Sequence, residues 1–374
     1  MTYLLSEEQS MLRDSARDFL QGQAPVALQR SLRDSDAGLG FEPAVWQQAI
    51  DLGWLCAVFP EEQGGLAMGY QGMGCVFEHM GRNLAALPLL SQAVLCGELL
   101  LRTANAAQQA LWLPALLAGT QRFALALEEG GRHAPLPVHT RARRVDGAWV
   151  LDGEKWFVMD GVGAQQLIVT ACLEDGSLGL FVVDVQSPGV ALQRSRMVDS
   201  RNSARVQLQA VRLGDDRQLA AHSHTAQALD AVLDRARICL AAEALGLTRE
   251  AFERTVAYLK ERVQFDVPIG SFQALQHRVA RLYTELELLE SCVRAALAAI
   301  DADAPDLPLL ASLAKARASD LCERVLNEAV QLHGGIGVTD EFDLGLFVKR
   351  ARVLQHTLGD GIFHRDRYAL LRDF

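Results

Sequence analysis

The strongest constraint in this sequence is the spacing of its apolar residues, which changes twice along the chain. From residue 1 to about 120, apolar residues recur every three or four positions, as in "PAVWQQAIDLGWL", which is typical of amphipathic helices. From about 121 to 216 the period falls to two, as in "LGLFVVDV", with turn pairs such as DG and NS between the runs. That pattern indicates short β-strands. From about residue 223 onward, long helical patterns return.

These textures predict a mostly helical protein with a central β-domain. A chain of 374 residues is long enough for two or three domains, each with a buried core. We predict an N-terminal helical domain over residues 1–120 and a middle antiparallel β-barrel or sandwich over 121–220. A C-terminal four-helix bundle is predicted over 221–374. The turn-rich stretch "DADAPDLP" separates two of its long helices.

Charge and cysteine content narrow the class of protein. The formal net charge is −10, which argues against a nucleic-acid partner. The seven cysteines are odd in number and widely spaced, with no CxxC pair, so reduced thiols are expected. We assign no metal site and expect a cytoplasmic protein.

We expect no targeting or membrane segment. Its N-terminus lacks a basic head followed by an apolar run, and Ser6 with Glu8 opens an amphipathic helix instead. The apolar region from Ala93 to Gly119 is interrupted by Glu98 and Arg102, which rules it out as a membrane span.

A glycine cluster, "GGIGVTDE" from Gly334 to Glu341, superficially matches a dinucleotide-binding loop. Asp340 occupies the place of the last glycine in GxGxxG, and a helical pattern precedes the cluster where that motif requires a strand. Taken alone, the glycines indicate the end of a helix.

Four stretches together resemble the acyl-CoA dehydrogenase family. The segment "ERVQFDVPIGSFQALQHRVA" (Glu261 to Ala280) is similar to the family's R-x-Q-F-G-x-P-I-x-x-F-Q, and "QLHGG" (Gln331 to Gly335) to its Q-x-x-G-G. The stretch "GWLCAVFPEEQGG" (Gly53 to Gly65) looks like G-W-x-x-x-x-x-P-E-E-x-G-G, and "WVLDGEKWFV" (Trp149 to Val158) looks like a strand-turn-strand of the middle domain. The order of helices, β-domain and helices agrees over essentially the whole chain. On these motifs the chain is identified as a member of the family.

The resemblance implies a flavin-dependent reaction on an acyl-CoA substrate. In this family a glutamate removes the α-proton of the thioester while the β-hydride passes to FAD, and an electron-transfer flavoprotein is the expected acceptor. Base, flavin and hydrogen bonds to the thioester oxygen must act together in a dry cleft. Each flavin is shared between subunits, with its ADP portion held by the neighbour.

The residues implied for that cross-subunit contact are all present. Arg262 is expected to pair with the pyrophosphate. The residues expected around the adenosine end are Phe265, Gln273, Gln331, Gly334 and Gly335. The alternative is that Arg262 ends a helix and the glycines cap one.

The residues implied for a subunit's own flavin ring are largely missing. Where the family has T-E-x-x-x-G-S-D, this chain has "LEEGGRHAPLP" (Leu127 to Pro137), without the serine or the aspartate. The family's W-I-T becomes Phe157, Val158 and Met159. A thioether cannot donate the hydrogen bond that a threonine hydroxyl gives to the flavin.

The catalytic base is also displaced in "TLGDGIFHRD" (Thr357 to Asp366). An ungapped alignment on Arg365 places Leu358 where most members have glutamate, and Asp360 where a threonine faces the phosphates. A shifted alignment makes Asp360 the base, one methylene shorter than glutamate. Some members carry the base on the first helix of the C-terminal domain, which points to Asp234. The alternative for Asp234 is a salt-bridged helix residue.

Three functions follow from this pattern. The first is an FAD-linked acyl-CoA dehydrogenase subunit in an α2β2 assembly, which supplies half a flavin site to a catalytically complete paralogue. Bacterial members that act on steroid side-chain CoA thioesters have this arrangement, and "LGDGIFHRDR" and "ALPLLSQAVLCGELL" resemble them. The second is a homo-oligomeric dehydrogenase that uses Asp360 or Asp234. The third is a non-enzymatic acyl-CoA-binding protein.

Overall fold

The computed structural model describes residues 4–219 and 224–374. The α-helices of these residues are α1 Glu7–Gln23, α2 Val26–Asp34, α3 Pro43–Asp51, α4 Gly69–Asn83, α5 Glu98–Thr103, α6 Ala106–Leu117, α7 Thr225–Glu261, α8 Gln273–Asp301, α9 Leu307–His333, α10 Leu344–His356 and α11 Gly361–Leu371. The strands are β1 Phe123–Ala126, β2 Arg141–Val145, β3 Ala148–Met159, β4 Gln166–Cys172, β5 Leu178–Asp184, β6 Val190–Arg194, β7 Ser203–Leu213, β8 Val263–Gln264 and β9 Val267–Pro268. This mostly helical protein with a central β-region confirms the predicted fold class.

Packing groups the described residues into two compact units. The helical unit draws on residues 4–31, 68–85 and 237–374, and the sheet-containing unit on residues 32–67, 86–219 and 224–236. The division into three domains at residues 120 and 220 stays a prediction.

The sheet of the second unit follows the order β1-β4-β2-β3-β7-β6, and β5 also pairs with β4. Alternate residues of its strands form the core, among them Leu151, Val169, Phe181 and Val206, all fully buried. This explains the period of two in the sequence, because successive side chains of a strand point to opposite faces. The pairs β2–β3, β3–β7, β4–β5 and β6–β7 are antiparallel. The strand β1, by contrast, runs parallel to β4.

The helical unit is built around α9, against which α8, α10 and α11 pack. The helix α8 ends at Asp301 and α9 begins at Leu307, so the predicted break lies between them. The first helix, α1, is opened by a capping box in which Ser6 and Gln9 exchange hydrogen bonds. Glu8, which the sequence pairs with Ser6 at the start of this helix, accepts the Ser6 hydroxyl at 2.8 Å, and Gln9, three positions after the cap, completes the box.

Every cysteine of the chain lies among the described residues, and none forms a disulfide. Cys56, Cys75, Cys96, Cys172, Cys239, Cys292 and Cys322 are all free. Within residues 4–219 and 224–374, no helix combines the length and the apolar character needed to cross a bilayer.

Candidate functional site

A short hairpin follows α7 and carries the first part of the predicted nucleotide half-site. Strands β8 and β9 pair antiparallel, and the two residues between them, Phe265 and Asp266, have φ angles of 55° and 63°. Two-residue hairpin loops favour this left-handed geometry, which an aspartate tolerates better than a phenylalanine. The ring of Phe265 is 86% exposed and meets Phe272 edge-on at 6.1 Å. The turn therefore presents an aromatic ring at the surface, next to the start of α8 at Gln273, which is also exposed.

The second part lies at the end of α9. Gly334 has a φ of 64°, and its N–H caps the helix by donating to the carbonyls of Gln331 and Val330. The predicted helix end is therefore present. A Cβ added at Gly334 or Gly335 would meet no atom within 4 Å, so both glycines expose their backbone. Gln331 is exposed as well.

One contact joins these two parts. The hydroxyl of Tyr258 donates to the carbonyl of His333 at 3.3 Å, and the two rings stack with centroids 4.4 Å apart. Tyr258 lies one helical turn before Arg262, and His333 immediately precedes Gly334. The hairpin after α7 and the glycine turn after α9 are thus held at one end of the helical unit.

The side chain of Arg262 is exposed and makes no hydrogen bond or ion pair with any other residue that the structure describes. A planar guanidinium can bind a phosphate oxygen pair through two parallel hydrogen bonds. Open glycine backbone lets a ligand approach the main chain closely. Together with an exposed aromatic ring, these are the groups that a diphosphate linked to an aromatic base requires.

The loop that replaces the family's T-E-x-x-x-G-S-D is closed by its own acidic side chains. Nδ1 of His133 lies 2.5 Å from Oε1 of Glu128, and the side chain of His133 is only 3% exposed. The polar groups of this part of Leu127–Pro137 are therefore used within the loop.

The next residue, Glu129, connects the start of this loop to the residues that follow it. Its carboxylate accepts the backbone N–H of His139 at 2.5 Å and that of Thr140 at 2.8 Å. It also pairs with the fully buried Lys155, whose Nζ lies 2.7 Å from Glu129 and 2.7 Å from the hydroxyl of Thr170. Burial lowers the pKa of Lys155 to about 8, although the bond to Glu129 acts in the opposite direction. The pair is a structural support of the loop.

The segment that replaces W-I-T interrupts the β3–β7 ladder. The register shifts between Lys155 and Val158, and Phe157, at a φ of 48°, is 40% exposed. Val158 is buried in the sheet core, while Met159 pairs with Ser203 of β7. At the threonine position the chain therefore offers a thioether, which donates no hydrogen bond.

The two predicted bases lie in different settings, and the role of each as a base stays a prediction. Asp360 is the N-cap of α11, and its carboxylate accepts the N–H of Phe363 at 2.8 Å. Such caps typically stabilise a helix by about 1 kcal/mol. Asp234 lies within α7 and is 1% exposed. Leu358, which the ungapped alignment on Arg365 predicts at the glutamate position, has a φ of 55° and is 5% exposed.

A buried lysine holds the turn around that position, which sequence reasoning missed. Lys315 of α9 is 2% exposed, and its Nζ donates to the carbonyls of Gly359 at 2.8 Å and Gln355 at 3.2 Å, with the hydroxyl of Ser319 at 3.3 Å. Burial, and then the nearby guanidinium of Arg237, lowers the pKa of Lys315 to about 7. A lysine inside the apolar run "ASLAKARASDL" is the signal that could have revealed it.

Two more buried basic side chains converge on the carbonyl of Leu358. The Nε of Arg237 lies 3.3 Å from this oxygen, and Nε2 of His364 lies 3.0 Å from it. Burial, followed by the charges of Lys315 and Arg237, lowers the pKa of His364 far below its ordinary range. Three buried basic side chains therefore hydrogen-bond to the turn that carries Leu358.

The sequence matches known protein families and relatives over most of its length. Residues 6–120 match the N-terminal domain of acyl-CoA dehydrogenase, and residues 225–369 match its C-terminal domain. The acyl-CoA dehydrogenase IpdE2 of Mycolicibacterium smegmatis is 30% identical over 357 residues, which cover 95% of this chain and 96% of that protein. The chain belongs to the acyl-CoA dehydrogenase family, whose members are oxidoreductases acting on CH–CH bonds with FAD as cofactor.

One solved structure relates the chain to a steroid-type member, and a second shows the same fold. A variant described as the Tcur3481-Tcur3483 steroid acyl-CoA dehydrogenase is 31% identical, with a TM-score of 0.88 and 98% coverage of both chains. The ChsE4-ChsE5 complex from Mycobacterium tuberculosis has a TM-score of 0.89 and covers 100% of this chain and 99% of that chain, at 24% identity, and this likeness shows the fold. The predicted family and its resemblance to the steroid-type subgroup are confirmed.

Proposed function

We propose that this chain is the nucleotide-holding subunit of a heteromeric FAD-dependent acyl-CoA dehydrogenase. In this assembly it grips the ADP portion of a flavin whose ring is seated, and whose substrate is deprotonated, by a paralogous partner. The observation that carries the proposal is an asymmetry. Arg262 is exposed and has no side-chain partner among the described residues, and the Gly334–Gly335 turn is exposed. By contrast, the carboxylates of the loop Leu127–Pro137 are already bonded within the protein, and Leu358 replaces the base.

The residues at the end of the helical unit fit the nucleotide part of FAD. The cofactor supplies hydride acceptance at its ring, but the half-site concerns its phosphates and adenosine. Arg262 would bind the pyrophosphate through paired hydrogen bonds. Phe265 would pack on an apolar or aromatic face. The exposed amides of Gln273 and Gln331 would hydrogen-bond the sugar or base, and the two glycines would allow close approach of the backbone.

The residues of the loop Leu127–Pro137 do not fit the ring part of the cofactor. His133 and Glu128 satisfy one another, and Glu129 is committed to the backbone and to Lys155. Met159 supplies no donor. We therefore derive no chemical step on this chain's own residues and assign the proton abstraction to the partner.

The relatives suggest the substrate and the partner. The names Tcur3481-Tcur3483 steroid acyl-CoA dehydrogenase and ChsE4-ChsE5 complex describe a steroid enzyme and a two-protein assembly. By analogy we propose a steroid side-chain CoA thioester as substrate and an acyl-CoA dehydrogenase paralogue as partner. The expected electron acceptor is an electron-transfer flavoprotein.

The test compares the chain purified alone with the chain co-expressed with a paralogue that retains the glutamate and the G-S-D loop. We expect little flavin absorbance for the single chain. The co-purified complex should carry FAD and reduce an electron acceptor when given a steroid side-chain CoA thioester. Stoichiometric FAD with turnover in the single chain would overturn the proposal.

A matched pair of variants tests the half-site within that complex. Arg262→Gln should lower the FAD content of the complex, because it removes the proposed pyrophosphate contact. Lys260→Gln removes the same charge two residues earlier, at an exposed position of α7, and should leave the FAD content unchanged. Equal FAD loss in both variants would show that removing any positive charge near the end of α7 lowers the FAD content. That result would count against a specific pyrophosphate contact at Arg262.

A further inference from the structure

The ring of His333 contacts two other aromatic rings next to the residues of the proposed half-site. His333 stacks on Tyr258 at 4.4 Å, with an interplanar angle of 29°, and meets Phe342 at 4.8 Å. Tyr258 belongs to α7, His333 ends α9, and Phe342 lies in the segment before α10. Each ring therefore comes from a different stretch of chain.

The two stretches that the rings join are those that carry the half-site. Arg262 follows Tyr258 by one helical turn, and Gly334 follows His333 directly. Tyr258 and His333 are 75 residues apart in sequence, and their link includes the hydrogen bond to the His333 carbonyl. No other side-chain hydrogen bond among the described residues connects residues 256–262 with residues 331–336. Among the described residues, this contact is therefore the direct side-chain hydrogen-bond link between the two stretches.

The residues on either side of Phe342 are bonded to two arginines, one in α2 and one in α7. Arg30 of α2 donates to the carbonyl of Asp340 at 2.6 Å and to the carboxylate of Asp343 at 2.8 Å. Arg254 of α7 lies 3.5 Å from the other carboxylate oxygen of Asp343. Because the residues on either side of Phe342 are tethered, its ring is held against His333.

The protonation of His333 matters to this contact. Its Nδ1 lies 2.8 Å from the carbonyl of Ala329, so Nδ1 carries the proton and Nε2 is an acceptor. The residue is 3% exposed, and Nε2 has no hydrogen-bond partner among residues 4–219 and 224–374. The ring acts here as a neutral, flat packing surface, a role that a phenylalanine ring can also fill.

We propose that Tyr258, His333 and Phe342 form an aromatic clasp that sets the spacing between Arg262 and the Gly334–Gly335 turn. Its members are positioning residues of the nucleotide half-site, and in that respect the inference rests on the proposed function. The clasp itself is a property of this chain and can be measured without the cofactor.

Amide hydrogen exchange of the purified chain gives the first test. In His333→Ala, the amides of residues 262–273 and 334–343 should exchange about two to ten times faster, the factor expected from losing aromatic pairs. Exchange in α1 and in the sheet β1–β7 should not change. His333→Phe keeps the stacked ring and should retain the slow exchange of the parent chain.

A second variant keeps the test decisive if His333→Ala does not fold. Phe342→Leu removes the ring from the other side of His333 and should raise exchange in the same two segments. Unchanged exchange in both segments for His333→Ala and Phe342→Leu would overturn the clasp, as would His333→Phe behaving like His333→Ala.

The FAD content of the co-expressed complex then links the clasp to the half-site. We expect His333→Ala to weaken FAD retention about tenfold and His333→Phe to preserve it. If exchange responds as expected but no assembly containing the parent chain binds FAD, the clasp stands and the proposed function fails. If the parent complex binds FAD and His333→Ala retains it equally well despite faster exchange, the positioning role is overturned.

Discussion

The Nζ of Lys315 lies 2.8 Å from the carbonyl oxygen of Gly359, at the turn where α10 gives way to α11. A second bond, to the carbonyl of Gln355, ties the last turn of α10 to the same nitrogen. These carbonyls have no helical N–H partner, so a buried lysine satisfies them in place of water. The turn that carries Leu358 is therefore fixed from within the helical unit.

Lys315→Met should destabilise the chain, and more so at alkaline pH. Removing the amine leaves buried carbonyls unpaired, at a cost of about 1–3 kcal/mol. The folded-state pKa of about 7 lies below the ordinary 10.5. Between these values the unfolded chain holds a proton that the folded chain does not, so this group makes the free energy of unfolding rise with pH. Methionine lacks that contribution.

Urea denaturation at pH 7 and pH 9.5 measures both effects. The gap in unfolding free energy between the parent chain and Lys315→Met should widen at the higher pH. Lys260→Met, at an exposed position, is the control and should change stability by less than about 0.5 kcal/mol. A gap that is constant or narrows toward pH 9.5 would show that Lys315 is not the group whose lowered pKa makes the free energy of unfolding rise with pH.

Asp360 can be tested as a helix cap against its alternative role as a base. Asp360→Asn keeps an oxygen that can accept the N–H of Phe363 and should leave thermal stability nearly unchanged. Asp360→Ala removes the cap and should cost about 0.5–2 kcal/mol. Under the proposed function, both variants should leave the turnover of the co-expressed complex intact, apart from unfolding. Turnover abolished in the well-folded Asp360→Asn variant would make Asp360 the base.

Much of the fold was predictable because the apolar residues that become buried recur along the sequence with the period of the helix or strand that carries them. Val169 and Phe181 recur at strand spacing and are both fully buried in the sheet core. The half-site residues were predicted from motifs, and the structure places Arg262 and Gly334 at neighbouring helix ends, although their role stays a prediction.

The contacts that support the site were not predictable. Tyr258 and His333 lie 75 residues apart, and Glu129 and Lys155 lie 26 apart. Single residues of these types occur throughout the chain, and only the folded backbone decides which of them meet.

Glu129→Gln should destabilise the sheet-containing unit. The ammonium of Lys155 is fully buried, and Glu129 is the carboxylate that pairs with it. Breaking a buried pair by removing one charge costs about 3–5 kcal/mol, since the other charge is left unpaired. Chemical denaturation at pH 7 should show this loss.

The double variant Glu129→Gln with Lys155→Met provides the control. It removes the stranded charge and should recover part of the lost stability. Amide exchange at His139 and Thr140, whose N–H groups bond to Glu129, should rise in the single variant. If the single variant is as stable as the parent chain, the pair is not a support of the loop.

The crossing of α4 and α7 depends on two glycines and offers the sharpest packing test. A Cβ at Gly246 would lie 1.8 Å from the carbonyl oxygen of Glu78, and one at Gly81 would lie 2.0 Å from that of Glu243. Both obstacles are helix backbone, which cannot move aside as a side chain can. Gly246→Ala should therefore lower the free energy of unfolding by about 2–4 kcal/mol, at or beyond the usual range for overpacking.

Gly345→Ala in α10 is the control. An added Cβ there would meet no atom within 4 Å, so this variant should be neutral or stabilise by up to about 1 kcal/mol. Thermal melts of the two variants measure the contrast, and equal melting temperatures would mean that the helices do not approach as closely as the structure describes.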